Sequence, residues 1–309
     1  SLEGAAEPQK IFDRTPYNGP VQIINYQVSK DEKWCILNGL TADENKNFNG
    51  VLQVYSVDQK ASQPTINAPA ATFASVTLDG QSSPANLFCF ALKDPATNTF
   101  SFKILQLGVP KTEAFTQTAP MRFADRDFPM SMIADPSIGV VYVLSQAGYL
   151  FAYEVQSGKP IYASRASNQT IFASCQHSGN QGIICIDLQG VVMQVQIDKE
   201  RCVPYICNTM NDLELGTAMA RRYGLGGADH LFKSQFQQLM AQGRTDDAAQ
   251  LVANSPNGVL RTTETLNQLK AVGPQVLIAY FQRILNSPGG KLNELESVEL
   301  AVPLLQKGQ

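Results

Sequence analysis

Histidine is nearly missing from this 309-residue chain: His177 and His230 are the only two. That takes the commonest general base and metal ligand away from almost the whole molecule. His230 sits beside Leu231 and Phe232 in a helical pattern, with no ligand-spaced partner, and reads as a surface or packing residue. His177 follows Cys175 by two positions in a loop at a strand end. Residues two apart share a face in any strand, so the pair is not a nucleophile signature. No Gly-x-Ser-x-Gly elbow occurs. Gly224-Leu225-Gly226-Gly227 lacks the Lys-Ser/Thr of a phosphate loop and follows a helical segment, so it reads as a helix–helix turn. Asp246-Asp247 reads as first-turn compensation of a helix dipole rather than a metal site. The expectation is a protein that is not an enzyme and uses no cofactor and no metal.

Other scarcities narrow the class further. No apolar run approaches the roughly 20 residues of a membrane span. SLEGAAEPQKIFDR at the start has no basic region followed by an apolar one, so no signal peptide is expected. The net charge of −3 offers no general attraction to nucleic acid or to an anionic membrane. Residues 211–309 balance nine basic against nine acidic residues, which leaves the whole −3 on the first 210. The six cysteines lack zinc-site spacing, and most sit in apolar runs such as WCIL, LFCF and GIICI. They read as reduced core thiols of a cytoplasmic protein.

What is abundant is a phrase. GVLQVYSVDQKASQP (50–64) has a glycine, a β-rich run, a charged turn and a proline. GYLFAYEVQSGKP (148–160) and GVVMQVQIDKERCVP (190–204) repeat it, with a weaker copy in TFSFKILQLGVP (99–110). Aligning Leu52, Phe102, Leu150 and Val192 gives spacings of 50, 48 and 42 residues. A period of about 40–50 residues carrying several short strands is the mark of a β-propeller blade. Strands are expected near 21–27, 33–39, 51–57, 71–78, 86–92, 100–106 and 129–134. Others are expected near 139–144, 149–155, 170–175, 182–187, 191–197 and 203–207. That makes about four blades over residues 1–207.

From 208 the texture is helical. NDLELGTAMARRYG has apolar residues at helical spacing and acids in its first turn. ADHLFKSQFQQLMAQG (228–243) puts Leu231, Phe232, Phe236, Leu239 and Met240 on one face before Gly243. Residues 244–258 read as a helix with Thr245 as N-cap, ended by Pro256. Residues 273–290 begin with Pro274 in a first turn, and ELESVELAVPLLQKG follows with Pro303 as a kink. Short helices in pairs bury their apolar stripes by stacking, which predicts an α-solenoid over residues 208–309. On these grounds alone the chain is a propeller followed by a helical rod. That description also fits scaffolds of other membrane coats and of nuclear pores. A closed four-bladed enzyme propeller remains a further alternative.

The phrases VQIINY (21–26), LQVYSVDQKASQP (52–64), LFCFAL (87–92), DFPMSM (127–132) and GYLFAYEVQSGKPIY (148–162) resemble the N-terminal propeller of the clathrin heavy chain family. Residues 224–262 and 295–309 resemble that family's linker and the start of its helical leg, so the likeness spans essentially the whole chain in order. It implies the later blades of a seven-bladed propeller, with the first three blades and their groove for adaptor peptides outside this sequence. An open blade face of that kind is expected to pair with another copy. The resemblance also implies a structural vesicle-coat protein of coated pits and vesicles on the cytoplasmic side. Its partners would be adaptors bearing short linear motifs, with other heavy chains and light chains in the full-length protein.

Two peptide sites carry over by residue. An inter-blade groove for arrestin-type loops matches Trp34, Val54, Gln59, Ala61, Gln63 and Val109. Gln59 stands where animal members have Arg, and Val109 where they have Thr. Part of a central top-face site for Trp-containing peptides matches Gln22 and Ile24. Trp34, the sole tryptophan, is read either as core filling or as a wall of the groove.

Overall fold

A computed structural model describes residues 10, 12, 21–42, 48–110, 112–177, 182–286 and 291–306. The chain divides into two compact units, residues 1–196 and 197–309.

The first unit is built of antiparallel meanders. β1 (Gln22–Val28), β2 (Trp34–Ala42), β3 (Phe48–Ser56) and β4 (Ala61–Ser62) form one sheet in chain order. β5 (Ala71–Val76), β6 (Ala85–Lys93), β7 (Phe100–Gln106) and β8 (Thr116–Met121) form the second. β9 (Pro129–Asp135), β10 (Val140–Ser145), β11 (Tyr149–Glu154) and β12 (Pro160–Arg165) form the third. β13 (Ile171–Gln176), β14 (Ile183–Asp187) and β15 (Val192–Val195) form a three-stranded fourth. The first strands meet around a centre: β5 touches β1 and β9, and β9 touches β13. Gln27 of β1 spans that centre, its Nε2 donating to Ala71 O and Met132 O at 3.3 Å each. This is the expected partial propeller of four blades.

The repeated phrase is the third strand of each blade, because Leu52, Phe102, Leu150 and Val192 fall on β3, β7, β11 and β15. The second strands of the two middle sheets are covered on both faces by neighbouring sheets, which explains why β10 reads as one unbroken apolar run, VVYVL, instead of alternating. Ile36, Leu52, Val54, Phe88 and Phe90 are buried together between the first two sheets. Phe102, Met132, Val141, Val143 and Tyr153 anchor the core between the second and third, with Phe102 and Tyr153 rings 5.1 Å apart.

Four readings of the sequence need correction. β4, β8 and β12 are strands that the pattern did not show. They are the outer strands, where few apolar side chains are buried: β12 buries only Ile161 of its six residues, and β8 only Ala119 and Met121. Residues 203–207 are not a strand. Asp198 caps a helix, α1 (Lys199–Pro204), by accepting from the Glu200 and Arg201 amides, and a π-helical turn (Tyr205–Thr209) continues it. Local capping thus overrides the β-propensity of VPYIC. The helical unit accordingly begins before Asn208, with the division after Gln196. Thr245 is the first residue of its helix, not the cap.

In the second unit α2 (Leu213–Tyr223) is capped by Asp212 and stopped by Gly224 at φ +61°. α3 (Asp229–Ala241), α4 (Thr245–Ala253), α5 (Thr263–Val272), α6 (Pro274–Asn286) and α7 (Glu294–Gln306) follow. Successive helices pack as pairs, and α4 also lies against α6. α5 escaped the sequence reading, although Thr262 caps it and Leu266 and Leu269 are its buried stripe. α7 starts with a capping box: Glu296 N donates to Asn293 Oδ1, and Asn293 N donates back to Glu296 Oε2, both at 2.8 Å.

Candidate functional site

Strand register decides which of the groove residues meet. In β2 and β3, Trp34 lies opposite Ser56 and Ile36 opposite Val54, while Ala61 of β4 lies opposite Ser56. Gln63 N donates to Val54 O at 2.8 Å, which places Gln63 beside Val54. Opposed residues, and residues two apart, point to one side of a sheet. Trp34, Val54, Ala61 and Gln63 therefore share the face of the first sheet that is turned toward the second. Val54 forms the buried floor with Phe88 and Phe90, and Trp34 packs half-buried at its rim. Trp34 is thus packed on the core over part of its surface and exposed over the rest.

Three further residues complete the groove that the sequence reading missed. Ile66, Leu105 and Leu107 are half-buried against the same cluster. Leu105 lies opposite Phe88, and Val109 lies past the end of β7, 39% exposed. The odd-numbered apolar positions of LQLGV were the available signal. Gln59 stands exposed in the β3–β4 turn, its amide donating to Ser56 Oγ at 3.3 Å.

The rim is held by a hydrogen-bonded chain. Trp34 N donates to Ser29 Oγ at 3.0 Å, and Ser29 Oγ donates to Asp31 Oδ1 at 2.5 Å. Asn86 Nδ2 on the second sheet donates to Asp31 Oδ2 at 2.8 Å, which ties the two walls together. Lys33 and Asp58 form an exposed ion pair at 3.5 Å beside it. The arrangement is an apolar slot with amide and carboxylate edges. Gln22 and Ile24 lie apart from it, near the start of β1. The cavity at the propeller centre is lined on that strand by Asn25 to Lys30 and not by either of them.

Sequence comparison decides the ancestry. The Clathrin-H-link family model matches residues 224–284. Human "Clathrin heavy chain 2" is 37% identical across 100% of this chain. A Caenorhabditis elegans "Probable clathrin heavy chain 1" is 35% identical, again across 100% of it. The Dictyostelium discoideum "Clathrin heavy chain" is 32% identical across 99%. The chain is homologous to clathrin heavy chains along its whole length. It spans about a fifth of the curated relatives it matches, 19% of the human protein and 18% of the Dictyostelium one.

In this clathrin heavy chain relative burial acts on five of the six cysteine thiols. Burial raises the Cys89 thiol, pushes Cys202 up to about 11 and raises Cys35, Cys185 and Cys207. Cys175 is exposed. His230 is exposed on α3, and His177 is half-buried with its amide donating to Gly182 O at 3.0 Å. Among the described residues no group of three His, Cys, Asp or Glu is placed to hold a metal. Gly224 ends α2, and a Cβ on Gly227 would stand 2.6 Å from the Pro204 ring, so this glycine run serves a close turn. No helix among the described residues is long and apolar enough to cross a membrane.

The most buried charge of the helical unit is structural. Glu296 is 0% exposed and pairs with Arg261, whose Nε donates to Glu296 Oε1 at 2.7 Å. The Tyr280 hydroxyl also donates to Glu296. Burial alone would raise the Glu296 carboxyl. Hydrogen bonds from Arg261, Tyr280 and the Asn293 amide outweigh it and hold the group below its usual range. The cluster joins α6, α7 and the segment before α5.

Proposed function

We propose that the chain is a structural segment of a vesicle coat on the cytoplasmic side. In this reading its propeller unit docks short linear motifs of sorting adaptors, and its helical unit connects to the coat lattice. No catalysis is involved. Its partners are adaptor and accessory proteins, and, within the longer protein, other heavy chains and light chains; contact with the membrane is indirect. The observation that carries the reading is the convergence of Trp34, Val54, Ala61 and Gln63 on one face of the slot between the first two sheets. Similarity to clathrin heavy chains across the whole of this chain supports the coat role. The central top-face set, Gln22 and Ile24, is the weaker of the two peptide sites, since the two residues stand alone on β1.

Gln59 and Val109 modulate the slot. A neutral amide at 59 cannot form the charge-assisted bond that a guanidinium would offer to an acidic flank. Apolar contact and backbone pairing then carry the binding. The test is titration with an arrestin-loop-type peptide while following the emission of Trp34, the only tryptophan. Saturable change, lost in Gln63→Ala, is expected. A folded protein whose Trp34 emission ignores the peptide would sink the adaptor reading.

A further inference from the structure

The slot above lies where β1–β2, β3–β4 and β7–β8 connect, at one end of the sheets. At the other end lie the start of β3 and the β6–β7, β8–β9 and β10–β11 connections, and there a separate cavity of about 960 Å³ opens. That is within the range of a ligand site, roughly 300–1,000 Å³. Its walls come from three blades: Phe48 from the first, Phe100 and Phe123 from the second, and Phe128 from the third. The Phe48 and Phe128 rings are 5.4 Å apart, and Phe123 meets Phe100 edge-on at 5.5 Å. Lys93 Nζ, itself nearly buried, ties the first two walls by donating to Phe48 O at 2.8 Å and Asn49 Oδ1 at 3.0 Å.

Two features of this cavity are unspent in the fold. Asp127 lines it and is 8% exposed. Its Oδ1 accepts from the Phe128 and Ala147 amides at 2.9 Å each, but its buried Oδ2 meets no donor among the described residues. Leaving a carboxylate oxygen buried and unmatched costs about 1–3 kcal/mol, more for a charged group. The second feature is the rim. Arg122 and Arg126 are exposed on the cavity and pair with no carboxylate among the described residues. Arg126 holds φ +63°, a strained backbone for a long side chain.

We propose that this cavity is a second docking site, for a short acidic peptide segment with one bulky apolar side chain. A peptide N–H supplies the donor that Asp127 Oδ2 lacks. Carboxylates flanking the anchor pair with Arg122 and Arg126. The apolar side chain lies against Phe48 and Phe123. An anionic lipid surface is the poorer fit, because Phe48 and Phe123 lie within a concavity walled by three blades, which a flat bilayer cannot enter. The proposal does not rest on the Trp34 slot, which is at the opposite end of the sheets.

The probe is a fluorescently tagged Asp-Glu-Phe-Asp-Glu peptide, titrated by anisotropy into the whole chain. Expected are saturable binding, loss of about 10-fold or more in the exposed double variant Arg122→Glu/Arg126→Glu, and a similar loss in Asp127→Asn. Asp127→Asn turns the unmatched acceptor into a donor at nearly constant shape, and its circular dichroism shows whether it folds. Binding should leave Trp34 emission unchanged and survive Gln63→Ala, so failure here and failure of the slot are separable. Three results would overturn the proposal: no binding by folded protein, equal binding by the charge-reversed double variant, or equal binding by a Lys-for-Asp/Glu peptide. Sedimentation with phosphatidylserine vesicles, lost in the same double variant while the peptide does not bind, would assign the basic rim to a membrane instead.

Discussion

The third strands of the second and third blades and that of the fourth are written in the same phrase, yet they end in different surroundings. Phe102 and Leu150 are 0% and 5% exposed, whereas Val192 at the equivalent place is 65% exposed. Strands β7 and β11 are each flanked by a fourth strand, and their side chains enter cores shared with the adjoining sheet. β15 ends its sheet and alternates between exposed and half-exposed residues. A blade motif therefore specifies strand and turn locally, but the stability of the strand comes from what stacks on it.

The comparison is sharpest when the same position is emptied in both places. Phe102→Ala removes a ring packed on Tyr153 in the main core and should cost about 3–5 kcal/mol. Val192→Ala should stay within about 0.5 kcal/mol. Urea unfolding followed by Trp34 emission reads the first, and whole-chain circular dichroism reads the second. Comparable losses in the two variants would break the argument that neighbouring sheets, not the motif, stabilise the strand.

The glycine that opens the phrase gives a smaller contrast. Gly148 and Gly190 have nearly the same backbone, φ +82° and +81°. A Cβ on Gly148 would sit 2.3 Å from Ser167 O and 2.7 Å from Gln169 O, while one on Gly190 meets nothing within 4 Å. Gly190→Ala should cost only the left-handed backbone penalty, about 1–2 kcal/mol. Gly148→Ala adds the displacement of the chain entering the fourth blade and should roughly double that loss. Equal losses in thermal unfolding would mean that the β12–β13 connection yields freely.

Much of this was legible because inner strands announce themselves. β2, β6 and β10 are apolar on both faces, and period-2 or continuous apolar runs mark them directly. β12 was not legible for the converse reason: PIYASR buries only Ile161, so little in its composition separates it from loop, and β8 (TQTAPM) buries only Ala119 and Met121. Residues 203–207 misled because Val, Tyr and Ile favour strands while the deciding group, Asp198, lies outside the segment. At the slot, four of the six residues carried over by family likeness, Trp34, Val54, Ala61 and Gln63, lie on one sheet face, whereas Gln59 stands in a turn and Val109 lies beyond β7. Leu105, Leu107 and the Asp31–Asn86 bond depend on how two sheets stack, which no single strand records. The cavity beyond Phe48 draws its walls from three blades, and only the folded topology joins them.

The last contrast is electrostatic and confined to one turn. In the fourth blade the β14–β15 turn is pinned by Asp187, whose Oδ1 accepts from the Gln189 and Val191 amides at 3.0 Å each. Ser167 Oγ donates to Asp187 Oδ2 at 2.7 Å, and this bond is the main reason the carboxyl is held below its usual range. A lowered folded-state value means that the ionised form makes the stabilising bonds. Their contribution is complete above the ordinary carboxylate range and disappears as pH falls through the lowered value. Hydrogen exchange of the Gln189 and Val191 amides, corrected for intrinsic rates, should therefore lose protection on strong acidification. Asp187→Asn should lose part of it already at neutral pH, because the amide lacks the charge that strengthens these bonds. The third blade offers the control: Leu144 and Leu150 are paired across β10–β11 in the packed core, so their amides should ignore the substitution. If Asp187→Asn leaves Gln189 and Val191 as protected as before, this turn is held by its backbone alone, and the carboxylate adds nothing to the blade with the most exposed third strand.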